Sequence, residues 1–288
     1  MDADLRSVQE ARDLVARAAE SQRRFASADQ RTVDGIVRAM ASAASADAER
    51  LARLAVDETG MGVYEHKVIK NRFASDFLAD YILPMQTVGV LREDPVRRVR
   101  ELAVPMGVVG AIIPTTNPTS TAIYKAMISV KARNAIVMSP HPRATRSVVE
   151  TARVLENAAL GAGAPAGLIN SMTVPTLEGT NALMRHKLTA VILSVVLRRH
   201  DIPQVSPTDN QTLGIGLVGG ISAAHGCQIW RKDRQDDVDS TPRACLYRMD
   251  SGSVRSPRVL ALERNGWILI NCRCHRRTIP PRRRNSAK

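Results

Sequence analysis

Apolar residues in the first eighty positions recur at helical spacing. Val8, Ala11, Val15 and Ala18 share one face of a first helix. Ser27 and Asp29 can cap a second, which carries Val33, Ile36, Val37 and Met40. A third helix is predicted near 46–58, stopped by Gly60, and a fourth over about 63–80. Residues 91–102 alternate and contain turn formers, which predicts a hairpin or an extended arm.

The period then changes. Val108–Ile113 is a continuous apolar, β-branched run, as in a strand buried on both faces. Pro114 ends it, and Thr119 or Ser120 can cap a helix through about Ala132. Ala135–Met138 is a second strand, 143–160 a helix closed by Gly161-Ala-Gly163, and Leu168–Met172 a third strand. Pro175 suits the first position of a short helix, and Leu188–Leu193 is a fourth strand. Strand and helix alternating in this way predict an α/β fold with a Rossmann-like, doubly wound parallel sheet behind N-terminal helices. Ligands of such sheets bind outside the carboxyl ends of the strands. That rim comprises Pro114–Asn117, Ser139–Pro142, Met172–Val174 and Ser194.

After Ser194 the pattern fails. Leu213–Ile221 reads as a strand or a loop, Val259–Leu262 and Trp267–Ile270 are short apolar runs, and Arg273–Arg284 reads as a disordered basic end. Residues 1–194 hold 24 Lys+Arg against 20 Asp+Glu, and residues 195–288 hold 17 against 8. The last third therefore supplies most of the +13 net charge, together with all four cysteines and both tryptophans. A domain boundary at 194 fits these shifts, and so does a change of reading frame or a fusion. The expected organisation is an ordered unit over 1–194 and an unrecognised basic tail over 195–288.

Composition narrows the class. A chain of 288 residues, 44% hydrophobic, allows one large or two ordinary domains. With 3% aromatics the core must be aliphatic. No run approaches the roughly 18 apolar residues of a membrane span. The acidic start Met1-Asp-Ala-Asp4 is not a secretory signal, and the cysteines lack paired spacing. The expectation is a cytoplasmic protein with no membrane partner. Strong positive charge normally raises nucleic acid as a partner, but here it is concentrated in the tail and no stacking aromatics accompany it.

The rim segment Ile112-Ile-Pro-Thr-Thr-Asn-Pro118 is the strongest chemical candidate. An Asn just past a strand end, beside a helix start, can aim an amide N–H at a developing oxyanion. Equally, Asn117-Pro118 is an ordinary turn pair.

Residues 1–194 resemble the cofactor-binding part of the aldehyde dehydrogenase superfamily, in particular its coenzyme-A-acylating branch (acetaldehyde and sulfoacetaldehyde types). The matching strings are Asp57-Glu-Thr-Gly60, Pro105–Ser120, Lys131–Arg143, Gly163-Ala-Pro-Ala-Gly167 and His186–Ser194. The resemblance implies oxidation of an aldehyde to an acyl-CoA, with NAD as cofactor, coenzyme A as co-substrate and a small-molecule aldehyde as substrate. Asn117 would be the oxyanion-hole amide. Ile113, Pro114 and Thr115 would line the nicotinamide side of the NAD site. Ser139, His141 and Pro142 would stand near the adenosine ribose, and Gly163, Pro165 and Gly167 near the adenine and pyrophosphate. Family members assemble as homo-oligomers through an extended arm, which 91–102 could supply. From the residues alone, His141 reads as an exposed loop residue, and Lys125 and Lys131 as solvated helix positions.

Two departures stand beside the resemblance. The family follows the strand ending at Ser194 with a glycine turn where backbone approaches the cofactor, and this chain has Val195-Val-Leu197. The family's cysteine nucleophile is also not identified. Cys227 is the nearest candidate but lacks the expected neighbours, and Cys272-Arg-Cys274-His275 is neither a zinc nor a haem spacing. No metal site is expected. Three functions follow: an acylating aldehyde dehydrogenase, an inactive truncated or frame-shifted derivative of one, or nucleic-acid binding through the tail.

Overall fold

The computed structural model describes residues 2–96 and 98–194, and the backbone of four later strands, Leu213–Gly216, Gln228–Trp230, Arg258–Leu262 and Ile268–Arg273. Helix α1 spans Ala3–Phe25; of the expected stripe, Ala11, Val15 and Ala18 are buried and Val8 is half-buried. Helix α2 is Gln30–Ala46, capped by Asp29 Oδ1, which accepts from Thr32 N at 2.8 Å. Helix α3, Ala48–Thr59, ends on Gly60 with φ 65°. The fourth predicted helix is continuous from Tyr64 to Ile82. It runs as α4 (Tyr64–Arg72), a π turn (Phe73–Phe77) and α5 (Leu78–Ile82). The predicted hairpin is β1 (Gly89–Asp94) paired antiparallel with β2 (Val99–Ala103).

The sheet follows from the apolar runs. Strands β3 (Val108–Ile113), β4 (Ala135–Pro140), β5 (Ile169–Ser171) and β6 (Thr189–Ser194) alternate with helices α6 (Pro118–Lys131), α7 (Thr145–Gly161) and α8 (Leu177–Arg185). Strand order is β5-β4-β3-β6-β7-β8, where β7 is Leu213–Gly216 and β8 is Gln228–Trp230. All pairings are parallel except β7 with β8. The chain steps outward from β3 to β5 and then returns to the other side of β3, so the topological switch lies between β3 and β6. Helices α2, α6 and α7 pack together on one face, while α1 and α8 pair on the other. This is the doubly wound α/β fold expected from the sequence. Every residue of β4 is buried, but β6 alternates buried and half-buried. Strands β9 (Arg258–Leu262) and β10 (Ile268–Arg273) form a separate antiparallel pair. The rest of the expected 195–288 tail, including Val195–Leu197 and Cys227, lies outside the described residues.

Two local expectations are corrected. Helix α6 begins two to three residues earlier than expected, with Asn117 rather than Thr119 or Ser120 at the cap position and Pro118 as its first residue. Pro118 already has the fixed φ and missing N–H that a first turn tolerates. Helix α8 starts at Leu177, capped by Thr176 Oγ1, which accepts from Gly179 N at 3.2 Å. Pro175 therefore precedes the cap rather than opening the helix.

Candidate active site

A cleft of about 370 Å³ opens at the carboxyl ends of β3 and β4. Ile113, Pro114, Thr115, Ser139, His141 and Pro142 line it, all of them predicted from the sequence. Pro175, Thr176, Leu177 and Thr180 form its far wall and were not anticipated. The signal for them was present in outline: the β5–α8 connection had to return to the same rim. Within the cleft the Ser139 and Thr180 hydroxyls meet at 2.7 Å, and Thr180 Oγ1 also donates to Thr176 O at 2.8 Å. His141 is exposed. Its backbone N donates to Ile113 O at 2.9 Å, and its Nδ1 accepts from Arg143 N at 3.1 Å.

Close packing on the other face fixes the far wall. A Cβ at Gly179 would come within 2.7 Å of Ser7 Cβ and 2.9 Å of Met172 Cε, so α8 can approach α1 this closely only through glycine. Ser7 Oγ accepts from Thr176 N at 3.2 Å. The Glu10 carboxylate takes the amides of Thr173 and Val174 at 2.8 and 3.0 Å. Helix α1 thus holds the loop that walls the cleft.

Asn117 lies two residues beyond Thr115 on the same rim. Its Oδ1 accepts from Lys70 Nζ at 3.1 Å, and Lys67 Nζ donates to Thr116 O at 2.9 Å. Burial, and then the nearby Lys70 charge, hold the Lys67 ammonium below the usual lysine range. Ser194 ends β6 on this rim.

Lys125 and Lys131 are not solvated, contrary to the sequence reading; they are 1% and 0% exposed. Lys125 sits at the switch point, where Nζ donates to Ile112 O at 2.7 Å and Leu193 O at 2.9 Å. It ties the ends of β3 and β6 together, and burial lowers its pKa to about 7. Lys131 pairs with Asp34 at the other end of α6.

Gly163, Pro165 and Gly167 are not near the cleft. They occupy the connection from the end of α7 to the start of β5, at the amino ends of the strands. Pro165 O accepts from Ser21 Oγ at 3.1 Å, and Gly167 N donates to Glu156 Oε1 at 2.6 Å. Their glycines serve backbone geometry, with φ 93° and 86°.

The described residues fit the planar end of a dinucleotide: an apolar slot with two hydroxyls on its floor, at a sheet rim. They do not supply a pyrophosphate cradle. The start of α7 is already filled by Glu58, whose carboxylate accepts from Arg146 N and Ser147 N, each at 2.7 Å. The turn after Ser194 lies outside the described residues.

The aldehyde dehydrogenase family model matches residues 2–195. The chain belongs to the aldehyde dehydrogenase family. It is 46% identical over 188 residues to the bifunctional aldehyde-alcohol dehydrogenase AdhE of Escherichia coli (strain K12), a match covering 65% of this chain and 21% of that one. To the sulfoacetaldehyde dehydrogenase (acylating) of Cupriavidus necator it is 34% identical over 266 residues, covering 89% of this chain and 54% of that one. That share exceeds what residues 1–194 alone make up. The solved acetylating aldehyde dehydrogenase from Geobacillus thermoglucosidasius superposes with a TM-score of 0.66 at 50% identity, covering 67% of this chain and 43% of that one. The acylating resemblance read from the sequence is therefore matched in both sequence and structure. The chain spans between a fifth and about half the length of these relatives.

Proposed function

We propose that this chain is the cofactor-binding part of an NAD-dependent aldehyde dehydrogenase that passes its acyl group to coenzyme A. The observation that carries the reading is the position of Asn117, between β3 and α6 and two residues from the cleft-lining Thr115. A nicotinamide cofactor bound there would accept hydride. Ile113, Pro114 and Pro142 would seat its rings and keep water off them. Ser139 and Thr180 offer hydroxyls to the sugar, with His141 at the mouth. The amide of Asn117 would donate to the oxygen of the aldehyde as negative charge develops on it. Ser194 would close the rim on the β6 side. The aldehyde is a small molecule, the compartment the cytoplasm, and the β1–β2 arm the contact for a homo-oligomer. We further propose a unit boundary near Ser194.

One observation favours a second reading, cofactor binding without turnover. The first cysteine in the sequence is Cys227, so no thiol stands among residues 2–194. An attacking thiolate must come from beyond them. Fluorescence titration with NADH, competed by coenzyme A and controlled with NADPH, tests the cofactor site. NADH formation from an aldehyde plus coenzyme A separates the two readings. Folded protein that leaves NADH fluorescence unchanged would sink both.

A further inference from the structure

Three residues on one face of α4 each bond to the segment that enters α6. Lys67 Nζ donates to Thr116 O at 2.9 Å, and Lys70 Nζ to Asn117 Oδ1 at 3.1 Å. Asn71 Oδ1 accepts from Thr119 Oγ1 at 2.7 Å, while its Nδ2 is held by Ala48 O at 2.9 Å. Positions 67, 70 and 71 are one helical turn, so they project together. The spacing Lys-x-x-Lys-Asn is thus a clamp on residues 116–119.

The bond to Asn117 is the unusual one. An asparagine at a helix cap ordinarily spends its side-chain oxygen on an amide of the first turn. Asn117 makes no such bond; its oxygen is taken by Lys70. An ammonium group can only donate, so the atom facing it must be Oδ1, and this settles which way the amide is turned. Nδ2 is then left as the outward donor, and among the described residues nothing accepts from it. A hydrogen bond whose donor is charged is stronger than a neutral one and polarises the group that accepts it. Neither Lys67 nor Lys70 meets a carboxylate among the described residues. Two ammonium groups with no described carboxylate partner therefore bond to this segment, Lys70 to the Asn117 side chain and Lys67 to the preceding carbonyl.

We propose that Lys70 is a positioning residue for Asn117: its ammonium fixes the amide with Nδ2 outward and strengthens that N–H as a donor to a developing oxyanion. The chemical purpose rests on the aldehyde dehydrogenase reading above; the coupling of the two side chains does not.

The test uses the full chain labelled with 15N. The Asn117 side-chain amide resonance is identified as the one missing from Asn117→Ala. Lys70→Met keeps the length and apolar stem of the side chain but removes the charge. The proposal expects the Asn117 Nδ2 resonance to move upfield in Lys70→Met and to return toward its wild-type position in Lys70→Arg. It also expects thermal unfolding to change little in either variant. A resonance unmoved in Lys70→Met overturns the proposal. A resonance displaced equally by Met and Arg also overturns it, since packing rather than charge would then hold the amide. NADH titration of the same samples is read separately. Absent NADH binding defeats the cofactor reading while leaving the Lys70–Asn117 result to stand or fall by its own signal.

Discussion

The two ends of the parallel sheet both carry polar, proline-bearing strings and use them in opposite ways. At the amino ends Arg133, Asn134 and Glu156 turn inward and are answered by backbone groups. Arg133, held at φ 58°, donates to Ala26 O at 2.7 Å and Ala103 O at 2.8 Å. Asn134 Oδ1 accepts from Met106 N at 2.7 Å and Gly107 N at 3.0 Å. Glu156 takes the amides of Gly167 and Ile169, and burial raises its pKa. At the carboxyl ends the polar groups surround open space, and Lys67 and Lys70 face no described carboxylate. A closed network secures the fold. An open one with uncompensated charge is where a ligand can add something.

The largest expected effect lies in the closed region. Lys131 is fully buried and pairs with Asp34, which also accepts from Gln30 Nε2 at 2.8 Å. Asp34→Ala leaves a buried ammonium facing only the carbonyl of Leu83. Removing one partner of a buried pair costs about 3–5 kcal/mol. Chemical denaturation should show a loss of that order, with NADH affinity of the remaining folded protein unchanged. A loss below about 1 kcal/mol would mean that the pair behaves as a surface contact.

Next comes Lys125, which sits under the open rim but within the core. Its folded pKa of about 7 lies below the usual lysine value of 10.5. Between these values the unfolded chain binds more protons than the folded one, so stability rises with pH across the window from about 7 to 10.5. The slope reaches about 1.4 kcal/mol per pH unit. Lys125→Met should remove the rise attributable to this group. Unfolding free energies measured at several pH values above 7 would decide it, and parallel pH curves for the two proteins would refute the assignment.

The sequence showed the layers of the fold well, because periodicity reports burial directly. The alternation of 108–194 predicted the sheet, and the strand ends placed Pro114–Asn117 and Ser139–Pro142 on one rim. It failed where a residue's task depends on the far side of the molecule. Lys125 and Lys131 look like solvated helix residues until the carbonyls of Leu193 and the carboxylate of Asp34 arrive from distant segments. The family resemblance puts Gly163-Ala-Pro-Ala-Gly167 near the adenine and pyrophosphate. Only the strand direction reveals that it lies at the wrong edge. The Thr176–Thr180 wall was hidden because its position is set by Ser7 and Glu10, some 170 residues earlier.

A smaller effect separates the two edges directly. Gly163 has φ 93° and open space around a hypothetical Cβ, so Gly163→Ala pays only for backbone strain, about 1–2 kcal/mol. Thermal unfolding should drop accordingly and NADH affinity should not. A fall in affinity beyond the loss of folded protein would return this loop to the ligand site.

The smallest change in stability should come from His141→Ala, and it is the sharpest probe of the open rim. The imidazole is exposed, and its one described bond is Nδ1 accepting from Arg143 N. Truncation there should alter stability by no more than about 0.5 kcal/mol. If His141 meets the sugar or base of a bound dinucleotide, the variant loses one hydrogen bond, about 1 kcal/mol or roughly five-fold in affinity. The backbone bond from His141 N to Ile113 O survives the substitution, so the wall of the cleft stays in place and a weaker titration reports the side chain itself. Unchanged NADH affinity would remove His141 from the site and shift the cofactor's contacts toward Thr176 and Thr180, on the wall that α1 holds.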